Sequence, residues 1–221
     1  MASFRTLPYL FLLNVLSDIQ AGDDCLSCSK HNIAELGKRT VIICKSNVPI
    51  VSMIMSFCPL KGDRCFAKGV IYQNNITLTD GETTLEFHNN TASLSINQIK
   101  ISHEGNYKLG HVGANCMNNQ NIFLEVFAPY TTPQIMEQEG NLICTASGGY
   151  PEEKLYWVSK AGTNLTHKSA SQSVKNEDGS FNLSNTLQLE SAPSETEYCC
   201  VFNPTRVPNR KPGSSFTPTQ A

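Results

Sequence analysis

The chain has 221 residues, with 17 basic and 19 acidic side chains, a formal net charge of −2 and no run of like charge. That balance excludes the concentrated basic face that nucleic acid or an anionic membrane surface demands of a partner. Nine cysteines in a chain of this length are read as a disulfide framework, which implies an oxidising compartment and argues against metal ligation.

Residues 1–21 carry a single early cation, Arg5, then an apolar stretch from Leu7 to Leu16, and end on the small residue Ala21. This is the make-up of a cleaved secretory signal. The apolar stretch is shorter than the roughly 20 residues that cross a bilayer, and Pro8 and Asn14 interrupt it. Four Asn-x-Ser/Thr triplets, at Asn75, Asn89, Asn164 and Asn182, are candidate glycosylation sites that agree with passage through the secretory pathway. No second apolar segment follows. The expectation is therefore a secreted protein, or one held at the extracellular face of the plasma membrane by an anchor beyond this chain.

From residue 22 to 128, short alternating segments recur between turn residues, at 41–44, 51–57, 69–72, 84–87, 92–96, 107–111 and 122–127. Their number and spacing predict an antiparallel sandwich. Six cysteines fall here, Cys25, Cys28, Cys44, Cys58, Cys65 and Cys116, and six allow 15 pairings. The pairing expected is Cys44 with Cys116 and Cys58 with Cys65, the second clipping a hairpin. Cys25-Leu26-Ser27-Cys28 has the spacing of a redox motif. No helix start follows to lower a thiol pKa and no βαβ pattern surrounds it, so a redox role is disfavoured.

The segment from 129 to 203 carries the most informative spacing. Cys144 is followed thirteen residues on by Trp157, and later by Tyr198-Cys199-Cys200. A strand cysteine, a tryptophan and a Tyr-x-Cys in this order are the marks of an immunoglobulin sandwich, in which the two cysteines bridge the sheets and the tryptophan packs on the bridge. Strand alternation pairs Cys144 with Cys200, because Leu142, Cys144 and Ala146 share a face and Cys199 must then point away from the core. A bridge closing a loop of this length stabilises by about 4 kcal/mol. Cys199 is left as a free thiol, an intermolecular bridge or a partner for a first-domain cysteine. The last residues, 204–221, are rich in Pro, Ser, Thr and basic side chains and are read as a stalk or tail. The fold expected is all-β, two tandem immunoglobulin-like sandwiches. In the first, His103-Glu104-Gly105-Asn106-Tyr107-Lys108-Leu109 matches the corner of a variable-type domain, with Leu109 where a cysteine is usual and no tryptophan after Cys44.

Three stretches of the second domain resemble the membrane-proximal constant-type domain of the B-seven and butyrophilin-like ligands: Gly149-Tyr150-Pro151-Glu152 with Leu155-Tyr156-Trp157, residues 176–187, and Tyr198-Cys199-Cys200-Val201-Phe202-Asn203. The programmed-death ligands and the inducible costimulator ligand are similar members. The resemblance implies a variable-type domain followed by a constant-type domain, and a costimulatory or checkpoint receptor on T cells as the partner of the first. Recognition of that kind uses the front sheet, so Met53, Met55, Phe57, Tyr72, Lys108 and His111 are candidate receptor contacts. Lys108 faces out if Tyr107 and Leu109 face in.

Other functions compete with this one. An adhesion molecule of the signalling-lymphocyte type, a CD-two-hundred-like ligand and a soluble decoy for such a receptor share the architecture. Catalysis is disfavoured. His31, His88, His103, His111 and His167 are scattered, with no His-x-x-x-His, no Gly-x-Ser-x-Gly and no phosphate-cradling loop. No cofactor, metal or small-molecule substrate is expected.

Overall fold

The computed structural model describes residues 25–60, 64–72, 75–76, 81–113, 116–189, 197–202 and 214–216. The signal read at 1–21 lies outside these, as does most of the tail read at 204–221. The described chain is built of β-strands, divides into two compact units at Val126 and Phe127, and contains no helix long and apolar enough to cross a membrane.

In the first unit the strands are β1 (Leu26–Cys28), β2 (His31–Glu35), β3 (Thr40–Ser46), β4 (Ile50–Pro59), β5 (Phe66–Tyr72), β6 (Asn75–Ile76), β7 (Thr83–His88), β8 (Thr91–Ile96), β9 (Gly105–Gly113) and β10 (Met117–Phe127). They form a four-stranded sheet, β1-β3-β8-β7, and a six-stranded sheet, β2-β10-β9-β4-β5-β6. This is the strand order of a variable-type immunoglobulin domain, with the first strand split between the two sheets.

Alternation builds its core. Ile42 and Cys44 of β3, Leu94 and Ile96 of β8, Met53 and Met55 of β4, Tyr107 and Leu109 of β9, and Ile122 and Leu124 of β10 are all completely or almost completely buried. Leu109 and Met55 lie directly opposite each other on neighbouring strands. Apolar side chains thus occupy the layer that a cross-sheet bridge and a tryptophan fill elsewhere. The corner before β9 is closed by the Tyr107 hydroxyl, which donates to the His103 carbonyl at 3.1 Å. Gly105 is required there, since a Cβ at this position would lie 2.7 Å from the Cys58 carbonyl oxygen.

Two of the bridges correct the expected pairing. Cys44 is joined to Cys28, its direct cross-strand neighbour in the β1–β3 pair, and Cys116 to Cys25, across 91 residues. Cys44 points into the sandwich from the β3 side, and Cys28 is the cysteine placed opposite it. Cys116 immediately precedes β10, and Cys25 immediately precedes β1. Cys58 is joined to Cys65 at the β4–β5 hairpin, with a Cα separation of 4.2 Å.

The second unit contains β11 (Gln134–Gln138), β12 (Asn141–Gly149), β13 (Leu155–Ser159), β14 (Ser169–Lys175), β15 (Phe181–Gln188), β16 (Tyr198–Phe202) and β17 (Ser214–Phe216). The sheets are β11-β12-β15-β14 and β13-β16-β17, the arrangement of a constant-type domain. β17 corrects the reading of everything after residue 203 as a stalk. Ser214–Phe216 pairs antiparallel with Tyr198–Cys200 and completes the smaller sheet. The Pro-rich composition around it concealed a strand of only three residues.

Cys144 and Cys200 are bridged between the sheets at a Cα separation of 6.4 Å. Trp157 is Cys200's partner on the neighbouring strand and is completely buried. A buried asparagine adds a polar link across the core. Asn185 of β15 donates from Nδ2 to the Leu155 carbonyl of β13 at 2.8 Å, while its backbone carbonyl oxygen accepts from Trp157 Nε1 at 3.3 Å. Asn185→Ala removes the donor that serves Leu155. A buried polar group left without its partner costs about 1–3 kcal/mol. The expected result is a fall of several degrees in the melting transition of this domain by calorimetry, at unchanged secretion of the bridged protein.

Candidate functional site

The six-stranded sheet has more strands than its partner in the first unit, and strand phase decides what its outer face displays. Met53, Met55, Phe57 and His111, all candidate contacts, point the other way. They are at most 7% exposed and belong to the core. The correction follows from register: Met55 and Phe57 stand opposite Leu109 and Tyr107, whose side chains face inward. Phe57 packs on Tyr107 with ring centroids 4.9 Å apart and is capped by the Lys68 ammonium, 5.6 Å from its ring. Tyr72 and Lys108 do face solvent.

The outward phase of β4 is Ser52, Ile54 and Ser56. Ile54, which the sequence reading passed over, stands opposite Val70 of β5 and Gly110 of β9. One step along, Ser52 stands opposite Tyr72 and Val112, and Met117 of β10 stands opposite Val112. Ile54, Tyr72, Val112 and Met117 are each between 43% and 54% exposed. Two adjacent cross-strand rows therefore carry an apolar patch. Its flank is neutral or basic, with Asn119 opposite Gly110, and Ser56 and Asn121 opposite Lys108. Gly110 forms the floor of the patch: a Cβ there would lie 3.2 Å from Ile54 Cγ2 and 3.3 Å from Asn119 Oδ1.

Beneath this face, His111 is 1% exposed, its Nε2 lies 3.4 Å from Ser46 Oγ and its Nδ1 has no hydrogen-bond partner. Its ring nitrogen and the sulfurs of Cys25 and Cys116 lie within 4.8 Å of one another. The two sulfurs are joined in a disulfide, so they are not the thiolates a metal needs. What remains is a histidine held neutral. Burial pushes its pKa below the ordinary value of about 6.5. The unfolded chain therefore takes up this proton first, so the stability gained from keeping His111 neutral is complete above about pH 6.5 and is lost as pH falls towards the folded value. Thermal unfolding of the first domain should show a midpoint that drops between pH 7 and pH 5, with a shallower drop in His111→Gln.

Three of the candidate glycan sites, Asn89, Asn164 and Asn182, are exposed. Asn89 has φ +46° in the β7–β8 turn and is exposed. Asn164 is exposed, and its Oδ1 accepts from the Thr166 amide at 2.9 Å. Asn182 is exposed near the start of β15. Asn75 lies in β6, and its side chain is outside the described residues. Cys199 is a half-buried free thiol whose pKa is raised by burial and by the Glu197 carboxylate, which keeps it protonated and a poor nucleophile at neutral pH.

A variable-type sandwich followed by a constant-type sandwich, stapled by four disulfides, defines a two-domain protein of the immunoglobulin superfamily. The comparisons narrow this. Residues 131–211 match the Ig-C domain family described as butyrophilin subfamily 3 member A2-like. The chain is 27% identical to a CD276 antigen homolog of Xenopus laevis over 128 residues, 54% of this chain and 41% of that protein. It is 32% identical to human butyrophilin-like protein 2 over 117 residues, 51% of this chain and 24% of that protein. The chain therefore spans less than half the length of these relatives. Its fold is similar to the extracellular portion of mouse CD200RLa, with a TM-score of 0.63 at 14% identity over 86% of this chain and 97% of that one. These homologies relate the chain to the B-seven and butyrophilin-like family. Both the homologues and the fold are of immunoglobulin type.

Proposed function

We propose that the chain is a ligand that binds a costimulatory or checkpoint receptor on T cells through the outward face of its six-stranded sheet, and so regulates T-cell activation. The observation that carries this reading is the cross-strand apolar patch of Ile54, Val70, Tyr72, Val112 and Met117, flanked by serine and asparagine and by Lys108. Stable recognition rests on a few aromatic and aliphatic anchors inside a polar rim. A patch of this composition on a rigid sheet also binds at low ordering cost, because its side chains are already aligned by the strands. The immune character of the homologues supports the choice of partner.

The test is binding of the glycosylated protein to a panel of T-cell costimulatory and checkpoint receptors by surface plasmon resonance. Tyr72→Ala and Ile54→Asp should each weaken binding at least tenfold, equivalent to about 1.4 kcal/mol. Lys108→Glu, at an exposed position, should slow association and alter its salt dependence while leaving the fold intact. Met136→Asp on the second domain should bind as wild type. If all three first-domain variants bound normally to the identified receptor, this face would not be the binding surface.

A further inference from the structure

The outer face of the second domain's four-stranded sheet has a composition unlike the rest of the chain. Its outward positions are the even residues of β11, β14 and β15 and the odd residues 141–147 of β12. These 14 positions include no Asp, Glu, Lys, Arg or His, although 16% of the chain is charged. They are mostly Gln, Asn, Ser and Thr, with Met136, Ile143, Ala170 and Val174 as apolar members. Met136 is 53% and Val174 51% exposed. Asn182, the acceptor of an Asn-Leu-Ser triplet, is one of the 14.

We propose that an N-linked glycan on Asn182 is the cover of this face and lies over it, with its first sugar against Val174. Val174 is the residue directly opposite Asn182 on the neighbouring strand. The amide is also held in place. Asn182 Oδ1 accepts from the Gly148 amide at 3.1 Å and from Asn176 Nδ2 at 3.2 Å, and Asn182 Nδ2 donates one N–H to Asn176 Oδ1 at 2.8 Å. The second N–H is the one the sugar replaces. In that step the bond between Nδ2 and the sugar's C1 forms, the C1–O bond to a lipid-pyrophosphate oligosaccharide donor breaks, and the amide proton leaves with the pyrophosphate. Asn176 is thus a positioning residue, which fixes the direction in which the glycan departs.

The chemistry of the face suits a neutral sugar. Hydroxyl groups find donors and acceptors in the amide and hydroxyl side chains, and sugar C–H faces fit Val174, Ile143 and Met136. A charge beneath the glycan would lose hydration with nothing opposite to compensate it, and there is none. Reach is sufficient: Thr186, level with Ile143 and Met136, is about 13 Å along the strand from Asn182, and Met136 is two strand spacings of about 4.8 Å further across. A second copy of the chain fits less well. Interface cores are enriched in aromatic residues and Arg, and none of these 14 positions is aromatic or Arg.

Methionine oxidation provides the readout, because Met136 sits on this face while the comparably exposed Met117 sits on the first domain. Protein from mammalian cells is treated with hydrogen peroxide, and the rate of sulfoxide formation is followed by peptide mass spectrometry. Glycopeptide analysis should find Asn182 occupied. Ser184→Ala abolishes the acceptor triplet while keeping the Asn182 amide bonds, and should oxidise at Met136 at least threefold faster, with Met117 unchanged. Wild-type protein trimmed enzymatically to a single sugar should show the same acceleration without any substitution. Asn164→Gln should leave the Met136 rate as it is. An unoccupied Asn182, or a Met136 rate indifferent to both Ser184→Ala and trimming, overturns the proposal. So does a Met136 rate that depends on protein concentration and is raised by Thr186→Glu together with loss of a dimer in ultracentrifugation, since a second copy would then be the cover.

Discussion

The joint between two facing sheets is the constraint on which both domains depend, and the chain meets it in two ways. In the second domain the joint is covalent and polar at once. The Cys144–Cys200 bridge spans the sheets, Trp157 fills the space beside it, and Asn185 ties β15 to β13 through the Leu155 carbonyl. In the first domain no bridge spans that layer. Leu109 occupies the position of the second cysteine, and Cys44 is turned to a neighbour in its own sheet, Cys28. Apolar packing by Leu109, Met53 and Met55 must then supply what a bridge and its tryptophan otherwise would, which costs nothing in burial but gives up the covalent limit on the unfolded chain. The other two bridges restore part of that limit by a different route. Cys25–Cys116 closes 91 residues, nearly the whole domain, and loop-closure entropy makes a long loop the effective place for a staple.

Once the inward phase of each strand is committed to that joint, the outward phase is committed as well, because successive side chains alternate. This ties surface to core residue by residue. Ile54 is exposed because Met53 and Met55 are not, and Lys108 is exposed because Tyr107 and Leu109 are not. The two sandwiches then use the outward phase in opposite senses. The first leaves apolar side chains in register across four strands, β5, β4, β9 and β10. The second strips its larger sheet of charge.

Much of this was legible in the chain, and the failures have physical causes. The spacing of Cys144, Trp157 and Cys200 reveals the second domain because three side chains must meet in one place, and few other folds need that spacing. Gly105 and Tyr107 reveal the corner of the first for a similar reason: one needs the absence of a Cβ, the other a hydroxyl in reach of the chain upstream. The stretch 51–57 did not reveal its phase. Val51, Met53, Ile54, Met55 and Phe57 are all apolar, so both phases look like a core, and irregularities of register after Ile50 and after Met55 further blur the alternation. Met53, Met55 and Phe57 are candidate contacts on composition but belong to the core, and Ile54 of the opposite phase is the exposed one. Connectivity of six cysteines is a question of three-dimensional neighbours, which linear spacing does not carry, and Cys44 is joined to Cys28 instead of Cys116. Ser214–Phe216 escaped because three residues are too few to show alternation.

The position of His111 shows how the same joint reaches the surface. Its side chain lies under the front sheet between Ser46 and the Cys25–Cys116 bridge, while its strand neighbours Gly110 and Val112 belong to the outward patch. Charging His111 where Nδ1 has no partner sets a desolvated cation against the packing that aligns β9 with β4. Any relief by local opening must move Val112 and Gly110 with it, since they share its backbone. Protonation of His111 and the placement of Val112 and Gly110 are therefore coupled through one strand, so anything that binds only the closed patch raises the cost of opening and disfavours protonation.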